Sequence, residues 1–150
     1  MGLKLGGMIS REIRQGGVRV GFNLEDLLTH ETGILAHVNQ KDGPRIGKYR
    51  VNLSDIERVG AAAIIRAADS SDLVIVDEVG LMELHSKAFI DAVRMALASQ
   101  KHFIGTIHKR ATHSLVTEIR SNANCEIIEV TQVNRGRLPA TIVDRLSRHV

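Results

Sequence analysis

The sequence predicts an α/β domain: a mostly parallel sheet flanked by helices, with a small β-meander near the amino terminus. The amino-terminal third reads as short, valine-rich strands punctuated by glycine. From Ser54 onward, apolar runs of strand length alternate with segments of helical periodicity. At 150 residues, 43% of them hydrophobic, the chain is sized for a single domain spanning residues 1–150.

The elements follow in order. "LKLGGMIS", "VRVGFNLEDL", "GILAHV" and "KYRVNL" are the meander strands, and Gly16-Gly17 suits a hairpin turn because positive φ costs glycine nothing. "SDIE" opens the first helix, with Ser54 as cap and Glu57 bonding back; Ile56, Val59, Ala63, Ile64 and Ala67 share its apolar face. "LVIVDE" is a buried strand by its continuous apolar run. Ser86 opens a second amphipathic helix with Phe89, Val93, Ala96 and Leu97 on one face. "HFIGTI" and "CEIIEV" are further strands, separated by a short helix through Leu115 and Ile119, and a last helix starts near Pro139. Strands alternating with helices predict helical cover on both faces of the sheet.

Composition narrows the function classes. The formal charge is +3, with basic residues scattered from Arg11 to Arg148, so nucleic-acid binding is compatible with the charge but not indicated by it. Cys125 is the single cysteine, which excludes an internal disulfide and a multi-cysteine metal site and suits a reducing cytoplasm. No apolar stretch reaches the about 18 residues that a membrane-spanning helix needs, and no signal sequence is visible.

The stretch "DLVIVDEVGLMEL" carries the chemistry. In parallel α/β sheets ligands gather beyond the carboxyl ends of strands, where Asp77 and Glu78 fall. Adjacent strand residues point to opposite faces, so one carboxylate can serve a metal and the other a water. Mg²⁺ takes hard oxygen ligands and keeps several waters, and hydrolysis needs a base on the attacking water. Four hydrophobic residues followed by "DE" is a Walker B pattern. Alone it is a weak motif, and the acids could equally end a strand by bonding nearby amides.

A larger set of segments resembles one family. "SREIRQGGVRVGF", "GILAHV", "IGKYRVNL", "DLVIVDEVGLMEL", "FIGTIH" and "VTQVNRGRLP" occur in the order, and at spacings similar to those, of the small nucleoside triphosphatases of the thermophile type, called cancer-related nucleoside triphosphatases in animals, within the P-loop superfamily. The resemblance spans nearly the whole chain. It implies a RecA-like sheet and Mg²⁺-dependent hydrolysis of nucleoside triphosphates to diphosphate and phosphate, with broad base tolerance. It implies that Asp77 holds Mg²⁺ through water and that Glu78 is the general base. By the same resemblance Thr106 stands where related ATPases place a γ-phosphate sensor, and Asn134 and Arg135 match a nucleotide-facing "NR" pair.

Each position also has a plainer reading. Thr106 suits a strand as a β-branched residue. Asn134-Arg135 precedes a turn, where asparagine bonds local backbone. His108 can touch phosphate or lie on the surface, and His37 in "LAHV" suits a packing or edge role. Arg14 suits bidentate phosphate contact, and pairing with Glu12 is the simpler account.

The phosphate-binding loop that the resemblance implies is expected upstream of "LKLGG" and is not among these residues. The nearest match to G-x-x-x-x-G-K-[ST] is "GPRIGKY", Gly43 to Tyr49, one residue short between its glycines and ending in tyrosine. A phosphate cradle needs converging backbone amides at a helix start. The chain is therefore expected to be incomplete at its amino terminus, with Met1 an internal methionine, and to bind nucleotide poorly as written. The resemblance also implies that the missing strand lies between "HFIGTI" and "CEIIEV", so a second chain could cover that gap. The alternative is a non-hydrolytic regulatory or binding protein that retains the fold.

Overall fold

The computed structural model describes residues 2–149, so Met1 and the expectation attached to it lie outside the described residues. In order come β1 (Leu5–Gln15), β2 (Val18–Asp26), β3 (Thr32–His37), β4 (Arg45–Ile46), β5 (Tyr49–Val51), α1 (Leu53–Asp55), a π-helical segment (Ile56–Ala61), α2 (Ala62–Ser70), β6 (Leu73–Val79), a 3₁₀ turn (Glu83–His85), α3 (Lys87–Ala98), β7 (His102–Ile107), α4 (Ser114–Ser121) and α5 (Leu138–Arg148). One seven-stranded sheet has the order β4-β5-β3-β2-β1-β6-β7.

The α/β class and the meander are as expected, and the sheet is mixed. β1, β6 and β7 are mutually parallel, whereas every other neighbouring pair is antiparallel. Parallel pairing requires a crossover, and the turns between the amino-terminal strands are too short for one. The β1–β2 turn is built on Gly16 and Gly17, at φ 58° and 79°. "GPRIGKY" forms the β4–β5 hairpin, so its glycines precede a strand and not a helix.

α1, the π-helical segment and α2 run on as one helix over 53–70. Its cap is Asn52, whose Oδ1 accepts the Asp55 amide at 2.9 Å. Ser54, the expected cap, lies inside the helix, because Asn52 already satisfies the amide three residues ahead of it. Asp55 in turn accepts the Ile34 amide at 2.8 Å, tying the helix start to β3. Ile56, Val59, Ala63, Ile64 and Ala67 are all buried as the periodicity requires. The helix approaches β1 so closely that a Cβ on Gly6 would lie 2.8 Å from Ala67 Cβ. At the end of β2, buried Asp26 accepts the Leu28 and Thr29 amides and pairs with Arg66 of α2.

Ser86 caps α3 as expected, accepting the Phe89 amide at 3.1 Å. Phe89, Val93 and Ala96 are buried, and α3 packs on the 53–70 helix. Arg94 of α3 forms a two-pronged pair with Glu118 of α4, both contacts at 3.0 Å. Leu115 and Ile119 are buried, as expected of α4.

The expected strand "CEIIEV" does not form: residues 125–130 join no ladder. A strand requires a hydrogen-bonding neighbour, and among the described residues β7 has a partner, β6, on one edge alone. Ile127 and Val130 are accordingly 48% and 63% exposed. α5 starts with Pro139 in its first turn, as expected, but it buries none of its residues, so helical cover of the sheet comes from the other helices. No helix among the described residues is long and apolar enough to cross a membrane.

Candidate active site

The two acids sit near the end of β6, between the middle of β1 and the end of β7. Ile9 of β1 pairs with Asp77, and Ser10 Oγ donates to the Asp77 carbonyl at 3.1 Å. On the other side Val76 pairs with Gly105, and pairing resumes at Val79 with Ile107. Asp77 and Glu78 thus stand opposite Thr106 alone, a bulge of two residues against one, which re-aims side chains that regular alternation would separate. The Asp77–Glu78 peptide is cis.

Asp77 is exposed and its carboxylate is held from β7: Thr106 Oγ1 donates to Asp77 Oδ1 at 2.8 Å. Glu78 is half-buried, and its side chain folds back over Gly80. A Cβ at position 80 would lie 2.7 Å from Glu78 Oε1, so glycine is what leaves room for that arrangement. Burial pushes the Glu78 carboxyl above its ordinary value; His108 acts against that rise and the Asp77 charge adds to it. His108 is placed by its amide, which donates to the Val79 carbonyl at 3.3 Å, and by Nδ1, which accepts the Arg110 amide at 3.2 Å.

Asp77, Glu78, Thr106 and His108 are therefore gathered at one sheet edge. The other sequence candidates have local partners. Arg14, near the tip of the β1–β2 hairpin, donates to Glu12 at 2.9 Å and to the Gly17 carbonyl at 3.0 Å. Asn134 accepts the Thr131 amide and donates to the Glu129 carbonyl, both at 2.8 Å, so its amide organises the loop that precedes α5. Arg135 is exposed in the same loop. His37 accepts the Asn39 amide at 3.0 Å and pairs with Gly21 of β2 and Arg50 of β5, so it lies inside the sheet and not at an edge.

Sequence reasoning assigned nothing to Glu83. It is 2% exposed and lies just past the acids, and burial drives its carboxyl up to about 8. The available clue was a carboxylate between Met82 and Leu84 in an otherwise apolar run.

Among the described residues no group of three or more histidine, cysteine, aspartate or glutamate side chains could hold a metal ion. Mg²⁺ binds through one or two carboxylates while retaining waters and substrate oxygens. The exposed Asp77 carboxylate, with one oxygen oriented by Thr106, is a hard ligand of the required kind.

Comparison with known proteins identifies the family and the fold. A model of a family described as NTPase matches residues 1–143. The nucleoside-triphosphatase THEP1 of Methanosarcina barkeri is 44% identical over 144 residues, covering 96% of this chain and 80% of the relative. The crystal structure of THEP1 from Aquifex aeolicus superposes with a TM-score of 0.82 at 28% identity, over 93% of this chain and 81% of that one. The solution structure of a human cancer-related nucleoside triphosphatase gives 0.78 at 34% identity, over 95% and 81%. With a family model matched along nearly its whole length and a fold shared with solved members, this chain belongs to the NTPase family of nucleoside-triphosphatases.

Proposed function

We propose that this chain hydrolyses nucleoside 5′-triphosphates to diphosphate and phosphate in the cytoplasm, with Mg²⁺ and broad tolerance of the base. The observation that carries this reading is the Thr106–Asp77 hydrogen bond beside the half-buried Glu78, at the carboxyl end of parallel strands. Asp77 would hold Mg²⁺ through water, and the ion supplies neutralisation of charge on the phosphate oxygens.

The protein's own groups do the rest. Glu78 orients a water and accepts its proton as the water oxygen bonds the γ-phosphorus and the bond to the β-phosphate oxygen breaks. A carboxylate raised by burial is a better base near neutral pH than an exposed one. Thr106 keeps Asp77 oriented, and its oxygen retains acceptor capacity for a metal-bound water. His108, close enough to act on Glu78, offers a ring N–H toward the phosphates. Asn134, Arg135 and Arg14 contact the nucleotide, Arg14 after exchanging Glu12 for phosphate.

A second reading, a fold that binds partners or nucleotide without hydrolysis, is favoured by one observation. The segment nearest to G-x-x-x-x-G-K-[ST], Gly43 to Tyr49, lies in a hairpin and not at a helix start, so it offers no phosphate cradle. A pair of acids does not neutralise a triphosphate. Phosphate release from Mg·ATP and Mg·GTP decides between the readings, with Glu78→Gln purified identically. Hydrolysis predicts that the variant loses about 10²–10⁴ in kcat with affinity largely kept. Equal rates refute the base assignment, and no release from either protein supports the second reading.

A further inference from the structure

The formal charge of +3 has one source along the chain. Between His37 and Val51 stand four cations, Lys41, Arg45, Lys48 and Arg50, against one acid, Asp42, and the rest of the chain holds as many acidic as basic residues. Elsewhere Arg11, Arg14, Arg58, Arg66 and Arg94 each pair with a carboxylate. Among the described residues none of the four cations in 37–51 has such a partner.

The strands turn this local excess into one surface. Arg50 of β5 stands directly opposite Arg45 of β4 on one side and His37 of β3 on the other, so the three side chains leave the same face of the sheet. Arg45 is exposed, and Arg50 donates from one nitrogen to the Gly43 carbonyl at 2.9 Å, which orients the guanidinium without using its remaining N–H groups. His37 lies over Gly21, where a Cβ would meet its Cδ2 at 2.8 Å. Because its Nδ1 accepts the Asn39 amide, the neutral ring carries its proton on Nε2, a further donor. Lys48, exposed in the β4–β5 turn, stands 5.5 Å from the centre of the Tyr49 ring. Like charges directly opposite destabilise a ladder. Protection of a sheet edge accounts for Arg45 on the outer strand, and not for Arg50 on the strand inside it.

We propose that this face, built by Arg45, Arg50 and His37 with Lys41 and Lys48 beside them, binds the phosphodiester backbone of a nucleic acid without reading its bases. Guanidinium groups match phosphate oxygens, and strands about 4.8 Å apart set Arg45 and Arg50 side by side along one backbone. A single phosphate on an open face gains little, as exposed ion pairs do. A polymer that meets several cations at once releases a counterion at each. Bases have no platform to stack on, since Tyr49 is 6% exposed and packs edge-on against Phe22. A lipid surface fits less well, because no large hydrophobic side chain is exposed between His37 and Val51 to enter it. The face is also separate from the acids: β5 and β4 stand four and five strands from β6, about 19 and 24 Å across the sheet.

Fluorescence anisotropy of a labelled oligothymidylate, titrated with the 150-residue chain over a range of salt concentrations, tests the proposal without requiring turnover. The logarithm of the affinity is expected to fall with the logarithm of the salt concentration, by about 0.7 for each phosphate met. Arg45→Gln and Lys48→Gln, both at exposed positions, are each expected to reduce that slope by about 0.7, and equally on oligothymidylate and oligoadenylate. Lys87→Gln, the same loss of charge on α3, is expected to leave the slope unchanged. Absence of binding at low salt overturns the proposal, as does a slope that neither variant of the face reduces or that Lys87→Gln reduces as much. Displacement of the oligonucleotide by Mg·ATP at matched ionic strength would place it in the nucleotide site instead. Capture by phosphatidylserine vesicles without oligonucleotide binding would assign the face to a lipid surface, and either result overturns the proposal.

Discussion

At the scale of single residues, the 2.8 Å bond from Thr106 to Asp77 divides positioning from folding. Thr106 is exposed at the end of β7, and valine has nearly the same shape and β propensity. Thr106→Val is therefore expected to leave the thermal midpoint nearly unchanged while lowering kcat about 10–100-fold, as loss of a partner that orients a ligand does. Steady-state kinetics beside a melting curve checks both halves, and an unchanged kcat would remove Thr106 from the site. The acids were legible because the motif is contiguous: Asp77 and Glu78 follow an apolar run with no gap to bridge. Glu83 was not, because its burial depends on how the turn after Gly80 packs under α3, which periodicity does not encode.

Among the elements, the 53–70 helix shows how a local rule can choose the wrong residue. Both Asn52 and Ser54 are good caps, and the capping-box pattern favours Ser54 with Glu57. The chain leaves β5 at Val51, however, and Asn52 is the first residue able to reach a free amide, that of Asp55. Asn52→Ala is expected to destabilise the protein by about 1 kcal/mol, whereas Ser54→Ala stays within about 0.5 kcal/mol of wild type. Denaturant unfolding of the two variants separates them, and equal losses would refute the assignment. The failed strand at 125–130 has the opposite origin: its sequence is strand-like, but β structure is a property of pairs of segments, and no ladder reaches it.

For the whole molecule, the proton on Glu83 links stability to pH. Its ordinary value is 4.5 and its folded value is about 8, so between those limits the folded chain holds a proton that the unfolded chain releases. The residue's contribution is fully present below pH 4.5 and is lost as pH rises toward 8. Glu83→Gln is expected to have a flatter profile of thermal midpoint against pH, similar to wild type near pH 4.5 and higher than it at pH 8. Parallel profiles would show that Glu83 ionises in the fold as it does in the unfolded chain. Glu78, raised by burial, tilts the wild-type profile in the same direction.

What the sequence by itself determined is what depends on neighbours along the chain: the meander and its Gly16-Gly17 turn, the apolar faces of the helices over 53–70 and Lys87–Ala98, the Ser86 cap, and two acids ending a buried strand. The tertiary structure decided what depends on segments meeting. It made the sheet mixed, left 125–130 unpaired, bonded Thr106 to Asp77 across 29 positions, and buried Glu83 beside the acids without a counter-ion. The physical reason is range: caps, turns and amphipathic faces are local free-energy choices, while pairing, bulges and desolvation exist only once distant strands have come together.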